Sequence, residues 1–151
     1  MLRFKIIYGL EGYEAARAVR ERVFMQEQGF PFDRDDNDGT AYHIAGWDGE
    51  RLIAAGRLFK VGDGIYTIGR VAVDADYRGQ YVGDTVMRAL EDKAVQLGAA
   101  FIRLYAQEQA LGFYKKQGYV PQGELIPGEH CNHWLMVKDL SKIRGCGGCK
   151  S

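Results

Sequence analysis

A single-domain mixed α/β fold, with a mostly antiparallel sheet holding one parallel strand pair and flanked by helices, is predicted by three observations. Hydrophobic periodicity switches between the strand and helix patterns along the whole chain, with no internal repeat. Three consecutive strand-like runs are joined by short glycine-containing turns, the mark of an antiparallel meander. One strand–helix–strand passage needs a right-handed crossover, which makes the two strands it joins parallel. With 151 residues the chain has the size of one core and needs neither disulfide nor metal to fold.

The elements follow in order. Leu2, Phe4 and Ile6 alternate with Arg3 and Lys5, an opening half-buried strand. From Gly12 to Met25 the spacing turns helical, with Ala16, Val19 and Val23 on one stripe. Gln28 to Gly39 has neither period; Gly29, Pro31 and a run of aspartates predict a loop. Tyr42–Trp47 and Arg51–Lys60 read as strands around an Asp48-Gly49 hairpin turn, and Gly62-Asp63-Gly64 leads into a third strand, Tyr66–Val73. Asp84–Leu97 puts Val86, Leu90, Ala94 and Leu97 on one helix face, closed by Gly98. Phe101–Tyr105 is a short buried strand, Glu108–Gln117 a second helix closed by Gly118, and Tyr119-Val120 and Trp134–Val137 are late strands. Residues 1–140 form the expected domain, and residues 141–151 a Gly/Cys-containing tail.

Composition excludes several classes. Lys plus Arg and Asp plus Glu number 20 each, so no net field attracts nucleic acid or an anionic membrane. The N-terminus is not a signal peptide, and no run approaches the ~18 apolar residues of a membrane span. Three cysteines, Cys131, Cys146 and Cys149, do not make a disulfide framework, which implies a cytoplasmic setting.

The chemistry concentrates in Gly69–Asp84, where an apolar strand runs through a polar loop into a basic, glycine-bearing turn that opens a helix. The first turn of a helix has unpartnered N–H groups and the positive end of the dipole, a ready site for phosphate. Gly79 and Gly83 let an anion approach the backbone, and Arg78 adds a charge-assisted contact. The spacing is not a P-loop, since Asp84 stands where the Lys belongs, and it lacks the three glycines of a dinucleotide fingerprint.

Arg78-Gly79-Gln80-Tyr81-Val82-Gly83 resembles the Gln/Arg-x-x-Gly-x-Gly/Ala signature of the GNAT superfamily of N-acetyltransferases, matched at Arg78 and Gly83, with Tyr81 where the family usually has its middle glycine. Phe113-Tyr114-Lys115-Lys116-Gln117-Gly118-Tyr119 is similar to the Phe-Tyr-x-x-x-Gly-Phe/Tyr of a later family helix. Arg20–Gln28 with the Pro31 and aspartate run behind it, and His133-Trp134-Leu135-Met136, resemble the ElaA- and YjcF-type branch. The resemblance runs from about residue 3 to 140.

What it implies is an acetyl-CoA-dependent transfer to a primary amine of a small molecule or peptide by direct attack. The two parallel strands, Tyr66–Val73 and Phe101–Ala106, would splay where the cofactor enters. Val71, Ala72 and Val73 would pair with pantetheine through main chain and polarise the thioester carbonyl. Arg78, Gly79, Gln80, Tyr81, Val82, Gly83 and Asp84 would hold the pyrophosphate, and Gln107 and Tyr114 would complete the cofactor contacts. Tyr114 would return a proton to the leaving sulfur or orient it. Glu27, at the end of the first helix, is the leading candidate base and His133 the second; a capping or ion-pairing role is the plain alternative for Glu27. A homodimer stands open beside a monomer.

Other readings carry less. Asp33–Gly39 fails the EF-hand pattern, since its sixth and twelfth places are Asp38 and Ile44. It reads as a solvated acidic loop, or as an electrostatic lure for a cationic amine. Cys146-x-x-Cys149 lacks the other ligands of a zinc site, and no metal is expected. Cys131, with only His130 as a basic flank, is no evident nucleophile. From a different class, a non-catalytic acyl-CoA-binding or sensing module would suit the interruption at Tyr81.

Overall fold

The opening alternation folds into β1 (Leu2–Tyr8) in the computed structural model, which describes residues 1–128 and 132–141. His130, Cys131, Cys146 and Cys149 lie outside the described residues. The elements that follow are α1 (Gly9–Arg20), a π-helical segment (Glu21–Glu27), a 3-10 turn (Asp36–Gly39), β2 (Tyr42–Asp48), β3 (Arg51–Gly62), β4 (Ile65–Val73) and a second 3-10 turn (Ala75–Tyr77). Then come α2 (Val82–Gln96), β5 (Phe101–Gln107), a third 3-10 turn (Glu108–Ala110), α3 (Leu111–Lys116), β6 (Val120–Pro121) and β7 (His133–Asp139). The seven strands hydrogen-bond in the order β1-β2-β3-β4-β5-β7-β6. β1–β2, β2–β3, β5–β7 and β6–β7 are antiparallel, while β4 and β5 are parallel, with Ile65, Tyr66 and Thr67 opposite Phe101, Ile102 and Arg103. That is the mixed sheet with an internal parallel pair which the crossover rule predicts.

Two elements differ from the reading of the sequence. The first helix begins at Gly9, not Gly12, because Gly9 takes φ +76° and turns the chain directly out of β1. Gly12 serves close approach instead: a Cβ there would lie 2.1 Å from the Ile7 carbonyl oxygen. The helix predicted over 108–117 is a 3-10 turn followed by the six-residue α3. No side chain caps either start, and Gly112 in the first turn of α3 weakens it.

Contacts divide the chain into two compact units, Met1–Phe59 with Ile68–Lys93, and Lys60–Thr67 with the chain from Ala94 onward. In the first, Ala16 and Val19 of α1 and Val23 of the π-helical segment bury against Ala45, Ala55 and Ala72 of three strands, with Phe24, Trp47 and Leu52 packed around them. Strand alanines let the helix lie close, so a larger residue there would overpack. Val86 and Leu90 of α2 press on Gly56 of β3, where an added Cβ would sit 2.8 Å from Val86 Cγ1. In the second unit, Ile102, Leu104 and Ala106 alternate inward along β5, and Tyr119, Met136 and Leu140 are buried. Among the described residues no helix is long and apolar enough to cross a membrane.

Candidate functional site

The turn between β4 and α2 is made of backbone. After Val73 the chain makes the 3-10 turn Ala75–Tyr77, then Gly79 takes φ +77° and Tyr81 φ +66° before α2 opens at Val82. Left-handed residues on both sides of Gln80, ahead of a helix, give the kind of turn that can aim successive N–H groups at an anion. The space over Gly79 is open: a Cβ there would meet nothing within 4 Å. The partnerless N–H groups of the first turn of α2 and its dipole add to the field. Tyr81 therefore adopts a glycine-like backbone where a glycine was expected, with its side chain 77% exposed. The departure is one of side chain, and this donor set fits a diphosphate.

Two predicted residues of this unit meet. Arg78 Nη2 donates to both Glu27 carboxylate oxygens, at 2.8 and 3.1 Å, and Arg78 Nε donates to the Val73 carbonyl at 2.9 Å. Five residues before Glu27, Arg22 Nη1 donates to Asp74 Oδ2 at 2.6 Å, and Arg51 Nη2 reaches Asp74 and Asp76. Asp74 is held ionised: burial would raise its pKa, but the Asp76 N–H and the Arg51 and Arg22 guanidinium groups outweigh burial. Val71 and Val73 are half-buried, whereas the Ala72 methyl belongs to the core cluster, so any ligand contact at Ala72 is through main chain.

Next to this stretch lies a buried ionic cluster that the sequence reading missed. Arg20 donates from Nε to Asp33 at 2.7 Å and from Nη1 to Asp38 at 2.8 Å. Arg57 bonds Asp35 and Asp38, and Arg70 bonds the Asp33 carbonyl oxygen and Asp35. Arg20, Asp33, Asp38 and Arg57 are all less than 5% exposed. This corrects the reading of Asp33–Gly39 as a wholly solvated loop: Asp33 and Asp38 are buried and paired, while Arg34, Asp36 and Asn37 stay exposed, and three arginines offset the charge of Asp33, Asp35 and Asp38. Burial raises the Asp38 pKa, but Arg20, the Asp35 N–H and Arg57 reverse that and hold it far below the usual range. Burial likewise depresses His43, whose Nε2 lies 2.9 Å from the Asp38 carbonyl oxygen. Arg70 holds a left-handed φ of +51° inside β4, a strained state for a long side chain, with its guanidinium fixed by Asp33 and Asp35. The available signal was an arginine at 57 inside the apolar run of β3 and a crowd of aspartates in want of counter-charge.

The second unit carries the other predicted residues. Gln107 ends β5 directly opposite His133 on β7 and accepts a hydrogen bond from the Gln109 side-chain amide. His133 is fixed through its backbone, which exchanges both bonds with Ile126, and burial lowers its pKa. It is thus neutral near pH 7 and able to accept a proton. Tyr114 on α3 makes edge contacts with Phe113 and with the buried Tyr119. Burial pushes the Tyr114 phenol up to about 12.

A parallel β4–β5 pair in a seven-stranded mixed sheet, with a glycine-bearing turn at the head of α2, is the architecture of an acyltransferase fold, and the acetyltransferase (GNAT) family model matches residues 10–119. The chain belongs to that family. Within it the chain falls in the ElaA/YjcF branch. It is 41% identical over 103 residues to the uncharacterized N-acetyltransferase YjcF of Bacillus subtilis, covering 67% of this chain and 73% of that one. It is 33% identical over 135 residues to the protein ElaA of Escherichia coli, covering 81% and 84%. The crystal structure of ElaA superposes with a TM-score of 0.81 at 28% identity, over 92% of this chain and 100% of that one. The PaiA N-acetyltransferase of Thermoplasma acidophilum, solved in complex with coenzyme A, shares the fold with a TM-score of 0.65 at 16% identity, over 91% and 99%.

Proposed function

We propose that this chain transfers an acetyl group from acetyl-CoA to a primary amine of a small molecule or peptide by direct attack. The observation that carries the reading is the turn at Gly79–Tyr81, whose two left-handed residues at the head of α2 suit main-chain donation to a diphosphate. The diphosphate would sit on residues 78–84, and the main chain of Val71–Val73 would receive the pantetheine arm. An N–H of that strand would steady the charge developing on the thioester oxygen.

The substrate ammonium first loses one proton, to Glu27 or to the neutral His133. The amine nitrogen then attacks the thioester carbonyl carbon, the C–S bond breaks, and the sulfur leaves with the electron pair. The second nitrogen proton is lost as the amide forms, and the thiol gains one, so the sum is amide, thiol and one released proton. Tyr114 stays protonated at every physiological pH because burial pushes it up to about 12. The leaving thiol has an ordinary pKa of about 8.5. Full transfer from so weak an acid is uphill, so its main service is a hydrogen bond to the developing thiolate, with proton delivery completed as sulfur departs.

The test is thermal melting with acetyl-CoA, propionyl-CoA and ATP, followed by thiol release across an amine panel. Ligand at 100 times its Kd adds about 2.7 kcal/mol, a readable shift for a domain of this size. A shift with acetyl-CoA but not ATP, and thiol release with an amine, is the expected result. A shift without release from any amine would favour a binding or sensing module, the reading to which Tyr81 first pointed. No shift at all would remove the acyl-CoA reading.

A further inference from the structure

The Glu27–Arg78 contact joins the leading candidate base to the only cation in the proposed diphosphate turn, and its geometry is set by helix type. Residues five apart on an α-helix stand about 140° apart, since each residue turns the helix about 100°. In the segment Glu21–Glu27 the ladder shifts to i→i+5, as in the 3.1 Å bond from Gln28 N to Val23 O. That wider winding brings residues five apart toward the same face. Arg22 and Glu27 are such a pair, and both meet the same loop: Arg22 takes Asp74 at 2.6 Å and Glu27 takes Arg78 at 2.8 Å. The charges cross over, cation to anion at one rung and anion to cation at the next, which fixes the register of segment and loop.

Arg78 is held at two points. Its Nη2 occupies both Glu27 oxygens while its Nε occupies the Val73 carbonyl, at the end of the strand assigned to pantetheine. The pair is not locked in the core: the Arg78 side chain is 47% exposed and that of Glu27 35%. An exposed pair of this kind is worth at most about 1 kcal/mol, so a doubly charged diphosphate arriving on the adjacent turn can outbid a single carboxylate.

We propose that Arg78 is a cofactor-released latch: without acyl-CoA it ties up Glu27 and the Val73 carbonyl, and diphosphate binding draws it away and frees both. The base becomes available only once the acyl donor is seated, so removal of the proton from the acceptor waits on the donor. Arg22, with Asp74, is a positioning residue that keeps Glu27 in register. This deepens the acyltransferase reading and rests on it.

The experiment measures Kd calorimetrically for CoA and for pantetheine, which lacks the diphosphate, in wild type, Glu27→Gln, Arg78→Gln and the double variant. Loss of the Glu27 charge is expected to tighten CoA by about two- to fivefold, the worth of an exposed ion pair, and to leave pantetheine unchanged. On the Arg78→Gln background the same substitution is expected to do nothing. Should Glu27→Gln fold poorly, Glu27→Asp, with its shorter reach, is expected to tighten CoA in the same direction by less. Equal or weaker CoA binding in Glu27→Gln, or a parallel change for pantetheine, overturns the latch while leaving the acyltransferase reading intact. Failure of wild type to bind CoA at all overturns both.

Discussion

Tyr81 takes a backbone conformation that costs an L-residue about 1–2 kcal/mol relative to glycine, with its ring in solvent, where it gains little packing in return. Substitution by glycine is therefore expected to hold or raise stability by up to about 1 kcal/mol, the relief of strain partly offset by the freer unfolded chain. Tyr81→Val, β-branched at the same φ, is expected to lose stability. Urea melts of the two variants check this, and a destabilised Tyr81→Gly would show that the ring itself matters to the turn. At Tyr114 the expectation concerns turnover. Phenylalanine removes the donor to sulfur and leaves the ring contacts with Phe113 and Tyr119. kcat should fall by at least about tenfold, within the range of acid–base contributions, while KM for acetyl-CoA moves little. Unchanged turnover would remove the role.

At the scale of elements, the cluster of Arg20, Arg57 and Arg70 with Asp33, Asp35 and Asp38 ties α1, β3 and β4 to the loop between α1 and β2. Removing one charge from a buried pair strands its partner, so Asp38→Asn should cost about 3 kcal/mol in a denaturant titration. A loss under 1 kcal/mol would mean that the remaining aspartates re-satisfy Arg20 and Arg57. Beyond the hint of Arg57 in an apolar run, the pairings were not legible in the chain, because a run of aspartates has the composition of a solvated loop and its partners lie 13 to 37 positions away. The π-helical segment was equally hidden: Val19 and Val23 satisfy an α stripe, and only the Gln28 bond to Val23 reveals the wider turn. By contrast α2 and β5 were readable, since their apolar spacing alone decides which face is buried. The turn that opens α2 was readable for the same reason of locality, as Arg78 to Gly83 are contiguous. Glu27 and Arg78, 51 positions apart, could be picked out singly but not as a pair.

For the molecule as a whole, the charges balance at 20 against 20, so stability should follow individual shifted groups more than net repulsion. Burial lowers the pKa values of His43 and His133, so the folded state holds fewer protons than the unfolded one below about pH 6.5. Their contribution is complete above that value and is lost as pH falls toward the folded pKa values, at a slope of at most about 1.4 kcal/mol per pH unit for each. Asp35 and Asp38 also have lowered pKa values, and their contribution is lost only below about pH 4, where the unfolded carboxylates begin to bind protons. Tyr114 has the opposite sign: raised to about 12, it contributes fully below about pH 10 and is lost as pH climbs from there through about 12. Unfolding free energy against pH should therefore show a plateau from about 7 to 10, a gentle acid slope beginning near 6.5, and a steeper fall below 4. In His43→Gln with His133→Gln, whatever the absolute stability, the slope between about pH 5 and 6.5 should vanish while the fall below 4 remains. In Tyr114→Phe the alkaline fall should become shallower. A double histidine variant that kept the gentle slope would assign that flank to other groups and remove the neutral state inferred for both rings.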